Sequence, residues 1–390
     1  METARISQPP SAPRLPGLDL LRAIAISWVI LYHASLFGLA SPDHWLVRFG
    51  WMGVDLFFAL SGFLIAGQLL RPWSRGLRPN YQRFYARRAL RTLPAYLVVV
   101  ALYFCLPAVR ERPNIQPLWQ FLTFTENLLI EPPLPKAFSQ VWSLCVEEQF
   151  YLIFPAVVAL LAIRPSSAKV SGALFAILLF GMALRGYLWL RDVARNPFDV
   201  YSAPLSLPYM KLIYWPTWTR LDGLSTGVAA ACVSIFRPRL WATLTARPIV
   251  LLGAGILGVG ASMAFFRYEI AGFLPTVLAF PLLSFSMALL VAAGAASRPV
   301  IPPIPGASAL AAGAYSLYLT HKAVFAAVAN AMTNAPVWLW RAELVVAWLA
   351  AFGVGAALYW LVERPFLRLR DRLDGPSRSS IAITTPASAA

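Results

Sequence analysis

The first residues that could do chemistry stand in Gly17-Leu18-Asp19-Leu20-Leu21-Arg22, followed by an apolar run that ends at Tyr32-His33. If the run is helical, the eleven positions from Arg22 to His33 make about three turns, so both side chains face nearly the same way about 16 Å apart. Asp19 joins that face. Ionisable groups inside a spanning helix are costly unless they face a bundle interior or a wet cavity, which makes this stripe a functional candidate. The alternative is that Asp19 and Arg22 snorkel at the interface while His33 caps the far end.

Three further stretches carry polar groups into apolar surroundings. Gly53-Val54-Asp55-Leu56-Phe57-Phe58-Ala59-Leu60-Ser61-Gly62 holds a lone carboxylate that needs a partner, while Gly53, Ser61 and Gly62 permit close helix approach. Arg87, Arg88 and Arg91 lie on neighbouring turns and hold more cation than topology requires. They serve either as a membrane anchor or as a seat for an anionic cytosolic ligand, such as the phosphates of a nucleotide-type acyl carrier. In Trp142-Ser143-Leu144-Cys145-Val146-Glu147-Glu148-Gln149-Phe150-Tyr151 the two carboxylates point about 100° apart on a helix. Glu147 shares a side with Ser143 and Tyr151, where it could pair with an arginine or steer the His33 imidazole.

The elements that must position these groups follow from composition. With 390 residues, 59% hydrophobic and 13% charged, and a mean hydropathy of +0.63, the chain lies far from a soluble globular protein. Near-continuous apolar stretches, at roughly 18–39, 51–70, 90–107, 141–163, 171–190, 219–236, 248–266, 272–295, 308–331 and 339–361, are long enough to span a bilayer. The expected fold is all-α: a polytopic transmembrane bundle of about ten helices. The basic residues gather chiefly at Arg71 to Arg91, Arg237 to Arg247 and Arg364 to Arg378, which places those segments, and both termini, on the cytoplasmic side. The net charge of +16 is explained by that topology and by anionic headgroups, not by nucleic acid. Cys105, Cys145 and Cys232 show no metal or disulfide spacing, and His33, His44 and His321 form no metal motif, so no metal and no bound cofactor are expected. Residues 1–16 and the Ser/Thr/Ala-rich end of 367–390 read as disordered cytoplasmic tails. The loops at about 109–140 and 191–218 read as interfacial caps that could shape a binding site.

In these words the chain resembles the acyltransferase-3 family of membrane O-acyltransferases. The resemblance rests on Arg22 to His33, Gly53 to Gly62, Arg87-Arg88-x-x-Arg91 and Ser143 to Tyr151. Later echoes are Arg220-Leu221-Asp222-Gly223-Leu224, Tyr315 to His321 and Val362-Glu363-Arg364-Pro365. It implies one acyltransferase domain over 17–366 in a multi-pass protein of the bacterial cytoplasmic membrane. The implied reaction moves an acyl group, commonly acetyl from acetyl-coenzyme A, to a hydroxyl, with His33 as the central catalytic residue. An imidazole can take the proton of an alcohol and return one to the leaving thiolate.

On this reading Glu147 orients or tunes His33, and Arg22, Arg87, Arg88 and Arg91 steady the anionic donor. Asp19, Asp55, Ser61, Trp142, Ser143 and Tyr151 support them, and Arg220, Asp222 and His321 are candidates for the acceptor, expected to be a carbohydrate. A macrolide or lipid acceptor, or a transporter or sugar-lipid flippase, are the alternatives, while oligomeric state is not read. Many relatives carry a soluble hydrolase-like domain after the membrane domain, whereas only about 25 residues follow Pro365 here. Cys145 stands where relatives usually have a small residue and is read as packing. Glu363-Arg364-Pro365 is expected to end the last spanning helix, with the proline as its stop.

Overall fold

The computed structural model describes residues 15–132, 135–164, 166–195, 207–268, 271–297, 300–332 and 342–373. Every regular element among them is helical. The two tails read from the sequence fall largely outside them, on 1–14 and 374–390. Within the described part, Pro16 already opens a helix and residues 367–373 are helical.

Ten long helices follow the apolar stretches. They are α1 (Pro16–Ser35), α2 (Gly53–Ser74), α3 (Tyr81–Cys105), α4 (Val141–Ile163), α5 (Ser167–Leu188), α6 (Leu221–Phe236), α7 (Pro248–Tyr268), α8 (Phe280–Gly294), α9 (Ala307–Met332) and α10 (Glu343–Leu358). Counting the 3₁₀ and π-helical turns that extend some of them, eight helices among the described residues are long and apolar enough to cross a membrane. Two of the ten expected spans stand apart. Helix α6 has 16 residues, about 24 Å at 1.5 Å per residue, which is short of a hydrocarbon core of about 30 Å. Helix α9 has length to spare, but its middle is Tyr315-Ser316-Leu317-Tyr318-Leu319-Thr320-His321-Lys322, and all of these from Ser316 onward are buried in the bundle. Its environment is protein rather than lipid.

The interior is built by α1, α2, α6, α8 and α9. Helix α2 packs along α6, α1 packs on α9 and on α2, and α8 closes against α6 and α2. Glycine permits the tightest of these contacts. A Cβ on Gly62 would collide with the Leu224 carbonyl, and one on Gly227 with the Ala59 carbonyl, so α2 and α6 meet backbone to backbone. Ion pairs tie α6 and the residue before it to α2 and α5 from inside. Arg220 lies 2.8 Å from Asp55 and Arg185 lies 2.7 Å from Asp222, with all four side chains buried.

At the far end of the chain, Pro365 does not stop the helix. Helix α10 passes through a π-helical turn, Tyr359–Glu363, directly into α11 (Arg364–Leu373). A proline in the first turn of a helical segment has no intrahelical hydrogen bond to lose, and the wide turn before it resets the register. Glu363 consequently turns inward, buried, and accepts a hydrogen bond from Ser316 Oγ at 2.6 Å. Arg364 stacks over the Trp360 ring at 3.7 Å.

Candidate active site

His33, near the end of α1, meets His321 in the middle of α9. His33 Nδ1 and His321 Nε2 are 2.7 Å apart, and the rings stack with centroids 4.9 Å apart. The protons in this pair follow from the outermost partner. His321 Nδ1 lies 3.1 Å from the Leu317 carbonyl oxygen, which can only accept, so Nδ1 carries the His321 proton. His321 Nε2 then offers a lone pair, and His33 Nδ1–H donates to it. The chain Leu317 C=O, His321, His33 therefore leaves the lone pair of His33 on Nε2. Glu147 does not occupy the orienting place beside His33. Its Oε2 accepts from Ser61 Oγ at 3.0 Å and from the Tyr151 hydroxyl.

Glu147 belongs to a different cavity, of about 240 Å³, lined by Arg22, Arg87, Arg88, Arg91 and Arg370 together with Ser61, Ser143, Glu147, Glu148 and Tyr151. Five arginines against two glutamates leave it electropositive. Arg22 is braced by Asp19 at 2.8 Å, and Arg88 lies over the Tyr151 ring at 5.3 Å. Arginine is suited to this role because its planar fork binds phosphate bidentately and keeps its charge. A second cavity of about 370 Å³ shares Arg87 and Arg370 and adds Asn80 and Arg83, so the basic space widens toward the ends of α3 and α11.

His33 lies on another cavity, of about 110 Å³, with Tyr32, Trp51, Ser139, Gln140, Trp142, Tyr214 and Lys322 among its walls. Val54 and Tyr318 line both this cavity and the arginine-lined one. Across that partition Ser143 Oγ and the Tyr318 hydroxyl are 2.6 Å apart, and Tyr318 lies 2.9 Å from the Gln140 carbonyl. Two spaces, one basic and one aromatic, thus back onto each other inside the bundle.

The sequence-derived residues divide accordingly. Arg22, Arg87, Arg88, Arg91, Ser61, Ser143, Glu147 and Tyr151 share the basic cavity, while His33 and Trp142 share the aromatic one. His321 is buried behind His33 and does not line the aromatic cavity. Asp55, Arg220 and Asp222 lie in the buried ion-pair seam. There the Arg220 guanidinium sits over the rings of Phe280, Tyr214 and Trp142, at 4.4, 4.7 and 5.4 Å, and none of Asp55, Arg220 and Asp222 lines either cavity. Cys145 is buried in an apolar cluster with Tyr96 and Val141.

The family described as Acyltransferase domain, acyltransferase-3, matches residues 15–363. The chain belongs to this family. Among curated proteins it is similar to the peptidoglycan O-acetyltransferase OatA of Listeria monocytogenes, 30% identical over 232 residues, covering 56% of this chain and 34% of the relative. It is similar to the O-acetyltransferase OatA of Staphylococcus aureus, 33% identical over 191 residues, covering 44% and 30% respectively. The putative peptidoglycan O-acetyltransferase YrhL of Bacillus subtilis is 28% identical over 201 residues, covering 48% and 30%. The chain thus spans about a third of the length of these relatives. No solved structure matches it.

Several site residues of this acyltransferase domain escape sequence reading. Arg370 joins the basic cavity from α11, and nothing in its local sequence separates it from the neighbouring arginines of a positive-inside tail. Arg185 had a signal, as a lone arginine in the apolar run of α5, and it proves to be fully buried against Asp222. Tyr318 stands in the Tyr-Ser-Leu-Tyr run, but its place between the cavities depends on how α9 faces α2 and α4.

Proposed function

We propose that this multi-pass membrane protein transfers an acyl group, acetyl in the first instance, from an acyl-coenzyme A donor to a hydroxyl of a carbohydrate. The names of the relatives point to peptidoglycan as the acceptor class. The observation that carries the reading is the His33–His321 pair, with His33 lining a cavity that shares Val54 and Tyr318 with a cavity lined by five arginines. In a bacterial cytoplasmic membrane with the arginines inside, the anionic head of the donor rests at Arg22, Arg87, Arg88, Arg91 and Arg370. Its thioester arm reaches between Val54 and Tyr318 toward His33, while the acceptor enters the aromatic cavity, where Trp51, Trp142 and Tyr214 offer flat faces to a sugar ring.

The chemistry assigns each proton. The acceptor O–H gives its proton to His33 Nε2 as its oxygen attacks the thioester carbonyl, and the positive charge that develops on His33 is shared with His321 through the Nδ1–H bond. When the tetrahedral adduct collapses, the C–S bond breaks and the thiolate takes the proton back from Nε2. Purified full-length protein in detergent, supplied with acetyl-coenzyme A and soluble peptidoglycan glycan strands or other sugar alcohols, is expected to release free thiol and form an acetyl ester. His33→Ala should reduce that rate by about 10²–10⁴-fold. Transfer that persists in a folded His33→Ala variant would overturn the site, and absence of donor consumption by wild type with every acceptor would favour a carrier instead.

A further inference from the structure

The His33 cavity has a lysine side chain that the proton relay does not use. Lys322 follows His321 on α9, is buried to 5% exposure, and lines the cavity. Its Nζ donates to Ser139 Oγ at 2.6 Å and lies 3.3 Å from Glu111 Oε1. An ammonium carries three N–H groups, so these two partners leave a third for the cavity it lines. We propose that Lys322 is a catalytic residue that hydrogen-bonds the oxyanion formed when the acceptor hydroxyl attacks the acyl carbonyl beside His33, with Glu111 and Ser139 as its positioning residues. This rests on the acyl-transfer reading above.

The surroundings are built to hold that ammonium. Glu111 Oε1 also accepts the Phe138 N–H at 2.8 Å, and Phe138 is in the left-handed region at φ 59°, a costly conformation for a bulky residue. The Phe138 ring is fixed by stacking on Tyr103 at 4.4 Å and on Phe121 at 5.8 Å. This strained turn leads directly into Ser139 and Gln140, which present side chains to the cavity. Gln140 Oε1 and Glu111 Oε2 are buried without hydrogen-bond partners. As acceptors they can take an O–H or N–H but cannot stabilise a developing negative charge. Among the residues lining the cavity Lys322 is the only lysine or arginine, and in a low-dielectric site a preorganised cation acts most strongly on charge that appears in the transition state.

The step balances on groups already named. The acceptor O–H bond breaks toward His33 Nε2, the C–O bond forms, and the carbonyl π pair moves to the oxygen that Lys322 holds. Collapse restores the C=O and breaks the C–S bond, with the thiolate taking the His33 proton.

The test is steady-state kinetics of the purified full chain with acetyl-coenzyme A and soluble peptidoglycan glycan strands. Lys322→Met should lower kcat by about 10²–10³-fold with both KM values changed less than about threefold, and Lys322→Arg should recover part of the loss. Because Lys322→Met strands the Glu111 carboxylate and can impair folding, the paired variant Glu111→Gln with Lys322→Met removes both charges. It should stay folded and show the same loss, whereas Glu111→Gln alone should cost about tenfold in kcat by loosening the ammonium. A folded paired variant that turns over within about threefold of wild type, or a loss confined to the acceptor KM, would overturn the role. Wild type that is folded but inactive with every acceptor would sink the acyl-transfer reading itself and this inference with it.

Discussion

His33 depends for its orientation on a residue 288 positions away. His321 fixes the tautomer by passing the hydrogen bond back to the Leu317 carbonyl, so His321→Ala should leave His33 free to rotate and to carry its proton on either nitrogen. We expect kcat to fall by about 10²-fold with little change in donor KM, measured alongside His33→Ala in the same assay. A second residue-scale expectation concerns Glu126, in the loop between α3 and α4. Burial, opposed only in part by Lys322 and Lys136, pushes its carboxyl from the ordinary 4.5 up to about 8. The folded state therefore holds this proton more tightly than the unfolded chain. The stability it contributes is full below pH 4.5 and is lost as pH rises through about 8. Thermal unfolding in detergent should show wild type weakening over that window, and Glu126→Gln should flatten the dependence.

Among the elements, the contact on which the proposed transfer turns is the meeting of α2, α4 and α9 at Val54, Ser143 and Tyr318. The acyl arm has to pass there if donor and acceptor occupy opposite cavities. Val54→Trp should fill the passage and reduce ester formation by more than about tenfold while donor binding to the arginine-lined cavity persists, because the two spaces are walled by different residues elsewhere. A variant that remains folded and transfers acetyl at the wild-type rate would show that the arm takes another route. The existence and order of the elements were legible from hydropathy, since every expected apolar stretch became a helix. The continuity of α10 into α11 was not. A proline after a run of apolar residues reads as a stop, and only a π-helical turn with Glu363 bonded to Ser316 makes it the start of the next segment.

For the whole molecule, the basic cavity gathers the beginnings of α1 and α3 and the helix α11 on one face. Arg22, Arg87 and Arg370 all line it, so the described ends of the chain lie on the same side of the bundle, as the positive-inside pattern requires of both termini. On the proposed reading, Arg370 gives α11 a place in donor recognition. Arg370→Ala should raise the KM for acetyl-coenzyme A by about tenfold, with a shallower salt dependence than wild type and an unchanged acceptor KM. An equal KM at all ionic strengths would remove α11 from the donor site.

The kinds of group the site uses were written plainly in the chain: Arg22 and His33 on one helical face, the Arg87 to Arg91 cluster, Glu147 with Ser61 and Tyr151 nearby in type, and a polar run ending at His321. Charges and imidazoles in apolar stretches are conspicuous because lipid penalises them, and that penalty is a local property of the sequence. Their partners are set by which helix faces which, and a 3.6-residue period says which residues share a face without saying what lies opposite. Only packing separated Glu147 from His33 and gave that place to His321, sent the acceptor candidates Arg220 and Asp222 into a buried seam with Asp55, and set Lys322 on Glu111. The reason is physical. In a bundle the apolar faces of different helices are nearly interchangeable, and the arrangement is fixed by glycine-sized contacts such as Gly62 on Leu224 and by the pairing of each buried charge.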